Sequence, residues 1–184
     1  MLQAGVSEIE ITPKMGVQLA GSVGYRRPAQ VVIDPLHVKA LVLKCGHRKI
    51  CFVVLDLCIV TKDYCDKIRQ AAVEKFGFEF DGVMVHAVQT HSAPSLGHFM
   101  LADDFEGIPQ EFDWLRGGDE HYAQFVVECA IKAIDLANES LQPVQVGVGS
   151  GIEGRVAFNR RAVMRDGTVT MPWIWNPREL PLGY

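Results

Sequence analysis

The spacing of hydrophobic and polar residues marks out strands and helices along the chain. Residues 2–11, LQAGVSEIEI, alternate at period two through Val6, Ile9 and Ile11 with a break near Gly5, and Thr12-Pro13 stops the pattern, which predicts a strand and a turn. HVKALVLK (37–44) and KICFVVLDLCIV (49–60) are apolar and β-branched and are separated by Cys45-Gly46-His47-Arg48, which predicts two more strands; the second, apolar on both faces, belongs inside a sheet. Thr61 then caps a helix reaching about Phe76, with Asp63 in its first turn, Gly77 as its stop and Cys65, Ile68, Ala72 and Phe76 on one stripe against the sheet. A further strand is expected over Gly82–Thr90, so strand, helix and strand form a right-handed parallel crossover. Asp119 caps a second helix to about Leu141, its apolar face formed by Tyr122, Phe125, Val126, Cys129, Ala133, Leu136 and Ala137, and Pro143 ends it. Val144–Val148 predicts a strand, and Ala162–Met171 a hairpin turning at Asp166-Gly167.

This order describes an α/β fold: a mixed sheet with at least one parallel strand–helix–strand crossover and covering helices, in one domain over residues 1–184. Two stretches carry no periodicity. Met15–Asp34 is punctuated by Gly16, Gly21 and Gly24 with Arg26 and Arg27 between turns, and Ser92–Gly118 holds Asp103, Asp104, Glu106, Pro109 and Trp114. Loops of this length inside a compact domain are usually functional. The tail from Pro172, PWIWNPRELPLGY, is apolar and has no partner in the pattern, so the domain is expected to be incomplete at its C-terminal end.

Composition narrows the function classes. The chain has 184 residues, 48% hydrophobic and 22% charged, with a formal net charge of -4, and no run of Lys or Arg exceeds a pair, which removes the electrostatic footprint of a nucleic-acid binder. The N-terminus alternates instead of placing basic residues before a long apolar run, and no segment reaches about 18 uninterrupted apolar residues, so neither a signal peptide nor a transmembrane segment is expected. Five cysteines, an odd number without a CxxC pair, suit a reducing compartment. The cytoplasm is the default location, with secretion left open.

The chemistry concentrates in VMVHAVQTHSAPSLGHF (83–99), which contains His86, His91 and His98, out of six histidines in the chain. Histidine is both the commonest metal ligand and the usual proton shuttle near neutral pH. Strand alternation puts Gln89 and His91 on one face and His86 on the other, where it reads as a core histidine. His91 falls just past the carboxyl end of its strand, the place where open α/β sheets bind ligands. Asp56, a carboxylate inside an apolar strand, requires a partner; it either meets His91 across neighbouring strands or caps a nearby backbone. His98 is either a second ligand reaching back or a loop residue, and Tyr25, Arg26 and Arg27 are either solvated or in contact with substrate.

The order AGVSEIEITPKMGVQLAG, IDPLHVKALVLK, FVVLDL, VQTHSAP, then VGVGSG with VAFNRRAVMRDGTV resembles the N-terminal part of the catalytic domain of the neutral (non-lysosomal) ceramidase family, over nearly the whole chain. The resemblance implies a zinc-dependent amidase that splits an N-acyl sphingosine into fatty acid and base, with metal-activated water attacking the amide carbonyl. In the family pattern H-T-H-S-[GA]-P the first histidine binds zinc and the second works beside it. Here these positions are Gln89, Thr90 and His91, so the first ligand is replaced by a neutral amide, a poor substitute at zinc. The resemblance makes His91 and His98 the metal candidates, His91, Asp56 and Arg160 the catalytic candidates, and Arg161 and Gln89 the substrate contacts; a guanidinium at 160 would anchor the amide or its oxyanion.

In the family a further histidine, a glutamate and a tyrosine of the zinc site come from later in the domain, so the resemblance implies that the missing C-terminal part of the same protein is a partner of this segment and that the segment alone is inactive. The expected substrate is a small-molecule or lipid-like amide. Gln89 also admits a non-catalytic binding protein on the same fold, and the unread lipid pocket admits a hydrolase of a non-lipid amide.

Overall fold

The computed structural model describes residues 1–22, 25–98, 100–101, 104–156, 161–164 and 166–171. The chain divides into two compact units, residues 1–145 and 146–184.

In the first unit β1 (Leu2–Glu10), β2 (His37–Cys45) and β3 (Arg48–Leu55) run as an antiparallel meander. A short β4 (Ile59–Val60) leads into α1 (Lys62–Phe76), which crosses over to β5 (Val83–Ala87), parallel to β3. β6 (Ser95–Leu96) pairs in parallel with β4, and α2 (Glu120–Glu139) ends in β7 (Gln142–Pro143) beside β1. The main sheet has the order β5-β3-β2-β1-β7. This is the mixed α/β sheet with one parallel crossover that the sequence predicts, and β3 lies between β2 and β5 as its two apolar faces require.

Local chemistry sets the helix ends. Gly77 stops α1 in a left-handed conformation, φ 68°, with its N–H turned back to the carbonyls of Ala72 and Val73. The Asp119 carboxylate accepts the Tyr122 N–H at 2.8 Å and so satisfies one of the free donors in the first turn of α2. The face of α2 turned to the core differs from the expected stripe. Tyr122, Ala123, Val126, Ala130, Ala133, Ile134 and Ala137 are buried, while Phe125 and Leu136 stay exposed. The alanines face inward because this helix lies almost directly on the backbone of β1. A Cβ on Gly5 would overlap the Ala137 carbonyl and stand 2.8 Å from Ser140 Oγ. Ser7 Oγ donates to the Ala133 carbonyl at 2.7 Å, so the break near Gly5 marks where a helix docks.

Two further differences from the expected strands follow from pairing. Val6 faces away from the core, 68% exposed, because the inward positions of β1 are Gly5, Ser7 and Ile9. Val144–Val148 forms no strand: pairing stops at Pro143, and Val146 and Val148 have no neighbouring strand among the described residues. Both helices pack against the same face of the main sheet, over Val38, Ala40, Val42, Cys51, Val53, Leu55 and Val83. The other face carries an apolar row across four strands, Val6–Leu41–Phe52–Met84. His86 lies on that open face and is exposed, which corrects its reading as a core histidine; the alternation is as expected, but no described element covers that side.

In the second unit β8 (Ala162–Val163) and β9 (Val169–Thr170) form the expected hairpin. Asp166 Oδ1 accepts the Thr168 N–H and hydroxyl, and Gly167 takes the positive φ that the turn needs. The apolar tail from Pro172 lies outside the described residues. Among the described residues no helix is long and apolar enough to cross a membrane, and all five cysteines are free thiols.

Two measurements test this packing. Gly5→Ala should lower unfolding stability by about 2–3 kcal/mol in urea titrations, because the helix backbone has no room to yield. Burial pushes the Cys51 thiol up to about 12, so at pH 8 iodoacetamide should label exposed Cys45 in the folded protein and reach Cys51 only after unfolding.

Candidate functional site

The site is built where the parallel pair β3–β5 ends. Val88 N donates to the Leu55 carbonyl and Gln89 N to the Leu57 carbonyl; the next bond is from Cys58 N to the Pro94 carbonyl. One chain therefore advances by a single residue, Leu57 to Cys58, while the other advances from Gln89 to Pro94. The surplus, Thr90–Ala93, is thrown out as a bulge with His91 exposed on it. Beyond it the two chains rejoin as β4 and β6, and Thr61 N bonds to the Leu96 carbonyl. Ala93, Pro94, Ser95 and Leu96 are buried, so the small residues after His91 anchor the bulge into the core.

Gln89 starts the excursion at φ 63°, the sole positive φ on a non-glycine residue among the described residues. Such a conformation costs about 1–3 kcal/mol for most side chains and is concentrated at functional sites. It also ends the strand alternation, so the shared face expected of Gln89 and His91 does not carry past residue 88: side chains alternate only while the backbone stays extended.

The glycine-rich loop closes over the bulge. It folds back on itself through Gly16 N to the Ala29 carbonyl, Ala29 N to the Val17 carbonyl and Leu19 N to the Arg27 carbonyl, and Ala20 N bonds to the Ala93 carbonyl at 2.9 Å. Gly21, φ 90°, lies against the His91 ring: a Cβ there would overlap Cγ and stand 2.7 Å from Nδ1. Arg27 is half-buried and donates through Nη2 to the carbonyls of Ala20 and His91, while its Nε is buried with no acceptor among the described residues. Burial pushes the Cys58 thiol up, with the Arg27 charge acting in the opposite direction, so Cys58 stays a neutral thiol and not a nucleophile.

The other predicted residues occupy different places. Asp56 sits at the end of β3 toward the open face, where its Oδ2 accepts the His37 N–H at 3.0 Å and Lys39 Nζ at 3.1 Å, with His37 Nδ1 at 3.9 Å. Glu8 completes the group, 3.4 Å from His37 Nδ1 and 3.8 Å from Lys39 Nζ. The partners of Asp56 are thus on β2, and it is not bonded to His91. His98 lines a polar cleft of about 220 Å³ between the N-terminal ends of the two helices, with Thr61, Asp63, Tyr64, Lys67, Asp119 and Glu120. Gly97 and Gly118 make the close approach possible, since a Cβ on Gly97 would overlap Thr61 Oγ1. Arg161 lies exposed just before β8 in the second unit, and Arg160 falls outside the described residues. Among the described residues no group of three or more His, Cys, Asp or Glu is arranged to hold a metal ion. Gly21 was marked in the sequence as loop punctuation only; its contact with His91 requires the fold.

Gln89→Val should lower stability by about 1–2 kcal/mol, a β-branched side chain being strained at positive φ, and Gln89→Asn should not, as chemical denaturation would show. In the cleft, hydrogen bonds from Tyr64 and Gln124 hold the Glu120 carboxyl below its ordinary range. A lowered folded-state value stabilises the protein above the ordinary carboxylate range and is lost as pH falls through it. The stability gap between the parent and Tyr64→Phe should therefore be widest near neutral pH and narrow in acid.

No protein-family profile matches the chain. Among solved structures it is similar to the neutral ceramidase from Pseudomonas aeruginosa, with a TM-score of 0.62 and 20% identity over 77% of this chain and 22% of that one. It is also similar to a ceramidase complexed with C2, with a TM-score of 0.59 at the same identity and coverage. The chain spans about a fifth of the length of these neighbours, and what the likeness establishes is a shared α/β fold.

Proposed function

We propose that the chain is the N-terminal part of a ceramidase-like amide hydrolase in which the His91 bulge is the reacting edge of the site. The observation that carries this reading is the strained backbone of Gln89, two residues before His91, at the position where the resembled H-T-H motif has its first histidine. Histidine is among the residues that tolerate left-handed φ, so the conformation suits the family residue better than the glutamine present. The fold shared with two ceramidase structures agrees with it.

In this reading the His91 imidazole takes a proton from the water that attacks the amide carbonyl and returns it to the departing nitrogen as the C–N bond breaks, leaving a carboxylic acid and an amine. The exposed position of His91 admits substrate, and the glycine-rich loop fixes its ring from one side. A zinc ion, when bound, would polarise the carbonyl and acidify the water. The described residues do not by themselves fit such an ion: His91 stands on the bulge, His98 in the helix-end cleft, and the position equivalent to the family ligand is Gln89. The proposal therefore assigns the remaining ligands to residues outside the described set, including a C-terminal continuation of the kind that makes up the rest of the ceramidase chains, and leaves Arg160 and Arg161 as candidates to contact the amide.

Gln89 also favours a second reading, a binding protein on the same fold that takes an amide ligand without hydrolysis. The two separate experimentally. The full-length protein, with any residues encoded after Tyr184, is assayed for fatty acid release from N-acyl sphingosine and from a panel of non-lipid amides, with zinc measured by elemental analysis. Hydrolysis that falls about 10²–10⁴-fold in His91→Ala supports the first reading. Saturable amide binding by calorimetry with no turnover and no zinc supports the second. Gln89→His should tighten zinc binding by at least roughly tenfold if this position faces the metal.

A further inference from the structure

We infer that Arg27 is a positioning residue for His91: its guanidinium ties the glycine-rich loop to the bulge and holds the imidazole at one orientation against Gly21. The sequence offers Arg27 as a solvated loop residue or a substrate contact, and its bonds suit neither. Nη2 donates to both the Ala20 and the His91 carbonyl, residues on opposite sides of the loop–bulge seam. Its own backbone is fixed as well, since Arg27 N donates to Gln18 Oε1 at 3.0 Å and its carbonyl accepts Leu19 N. Ala20 N to the Ala93 carbonyl closes the same seam from the other end of the bulge. Both ends of the His91 segment are therefore pinned to Ala20, and Gly21, the next residue, meets the ring.

The cost side supports a role beyond packing. Arg27 Nε is buried without an acceptor among the described residues, and an unsatisfied buried donor is destabilising. Both bonds leave one nitrogen, Nη2, held in place by the planar guanidinium; a lysine would avoid that cost but carries its ammonium on a flexible stem. The bond to the His91 carbonyl holds the bulge by its backbone without touching the ring, leaving the imidazole free to react.

The test reads the ring directly. Imidazole resonances of the ¹⁵N-labelled protein are recorded for the parent, Arg27→Ala and Arg27→Lys, with the His91 signals assigned from His91→Gln. His47, in the turn at the far end of β3, serves as the internal control. The expected result in Arg27→Ala is loss of the His91 signals from their parent positions with His47 unmoved, and their return on adding methylguanidinium; Arg27→Lys should return them in part. His91 signals in folded Arg27→Ala that coincide with the parent overturn the inference. If Arg27→Ala does not fold, coincidence of the Arg27→Lys signals with the parent overturns it instead, since the planar guanidinium would then be dispensable. The role in turnover rests on the hydrolase reading: kcat should fall about 100-fold, the scale of an ångström-sized misplacement, with KM nearly unchanged. A protein that hydrolyses no amide defeats that reading while the ring signals still decide the role of Arg27.

Discussion

The parallel pairing of β3 with β5, and the unequal advance of the two chains beyond it, is the constraint on which the site depends. Hydrogen-bonding capacity has to be satisfied on both chains as they leave the sheet, and β4 and β6 resume pairing within a few residues. Because Leu57 and Cys58 are adjacent while their partners are Gln89 and Pro94, the surplus backbone has to leave the ladder. It leaves at the carboxyl end of a parallel pair, where the crossover geometry opens a crevice. Gln89 turns the chain out and buried Ala93-Pro94 turns it back, so an exposed imidazole rests on a rigid base.

That base is held by backbone proximity more than by large side chains. Gly5 lets α2 rest on β1, Gly97 lets the segment after β6 reach Thr61, and Gly21 lets the long loop touch His91. Ile11, Leu57, Ile68, Leu96 and Ile134 are fully buried between these contacts, each contributing on the order of 1.5–3 kcal/mol on transfer from water. Tyr122 joins the two systems: buried on α2, it donates its hydroxyl to the Ile11 carbonyl at 2.7 Å, where the glycine-rich loop begins.

Charge is distributed in separate groups. Glu8, His37, Lys39 and Asp56 form one polar network at the open-face end of β3. Asp63, Lys67, His98 and Glu120 stand at the helix ends. Arg27 stands at the bulge, bonded to the Ala20 and His91 carbonyls. A carboxylate inside an apolar strand pointed to a partner, and it has one; the partner belongs to the structural network of β1 and β2.

The sequence by itself determined the elements whose signals are local. Gly77 stops α1, Asp119 caps α2, Asp166-Gly167 turns the hairpin, and the double-sided apolar run of β3 places it inside the sheet; each depends on backbone groups a few residues away or on a repeat within one element, whereas Thr61 precedes α1 without a capping bond from its hydroxyl. The tertiary structure decided what depends on distant partners. The inward face of α2 follows Gly5, more than 100 residues earlier, so Phe125 and Leu136 lie outside although the helical stripe includes them. The strand expected after Pro143 has no neighbour among the described residues once Val144 N has bonded to the Leu2 carbonyl, and His86 lies on a face that no described element covers. His91 was legible as a residue at a strand end, but its setting was not. Register between β3 and β5, a positive φ and a guanidinium spanning two carbonyls are relations between segments, and alternation within one segment carries no information about them.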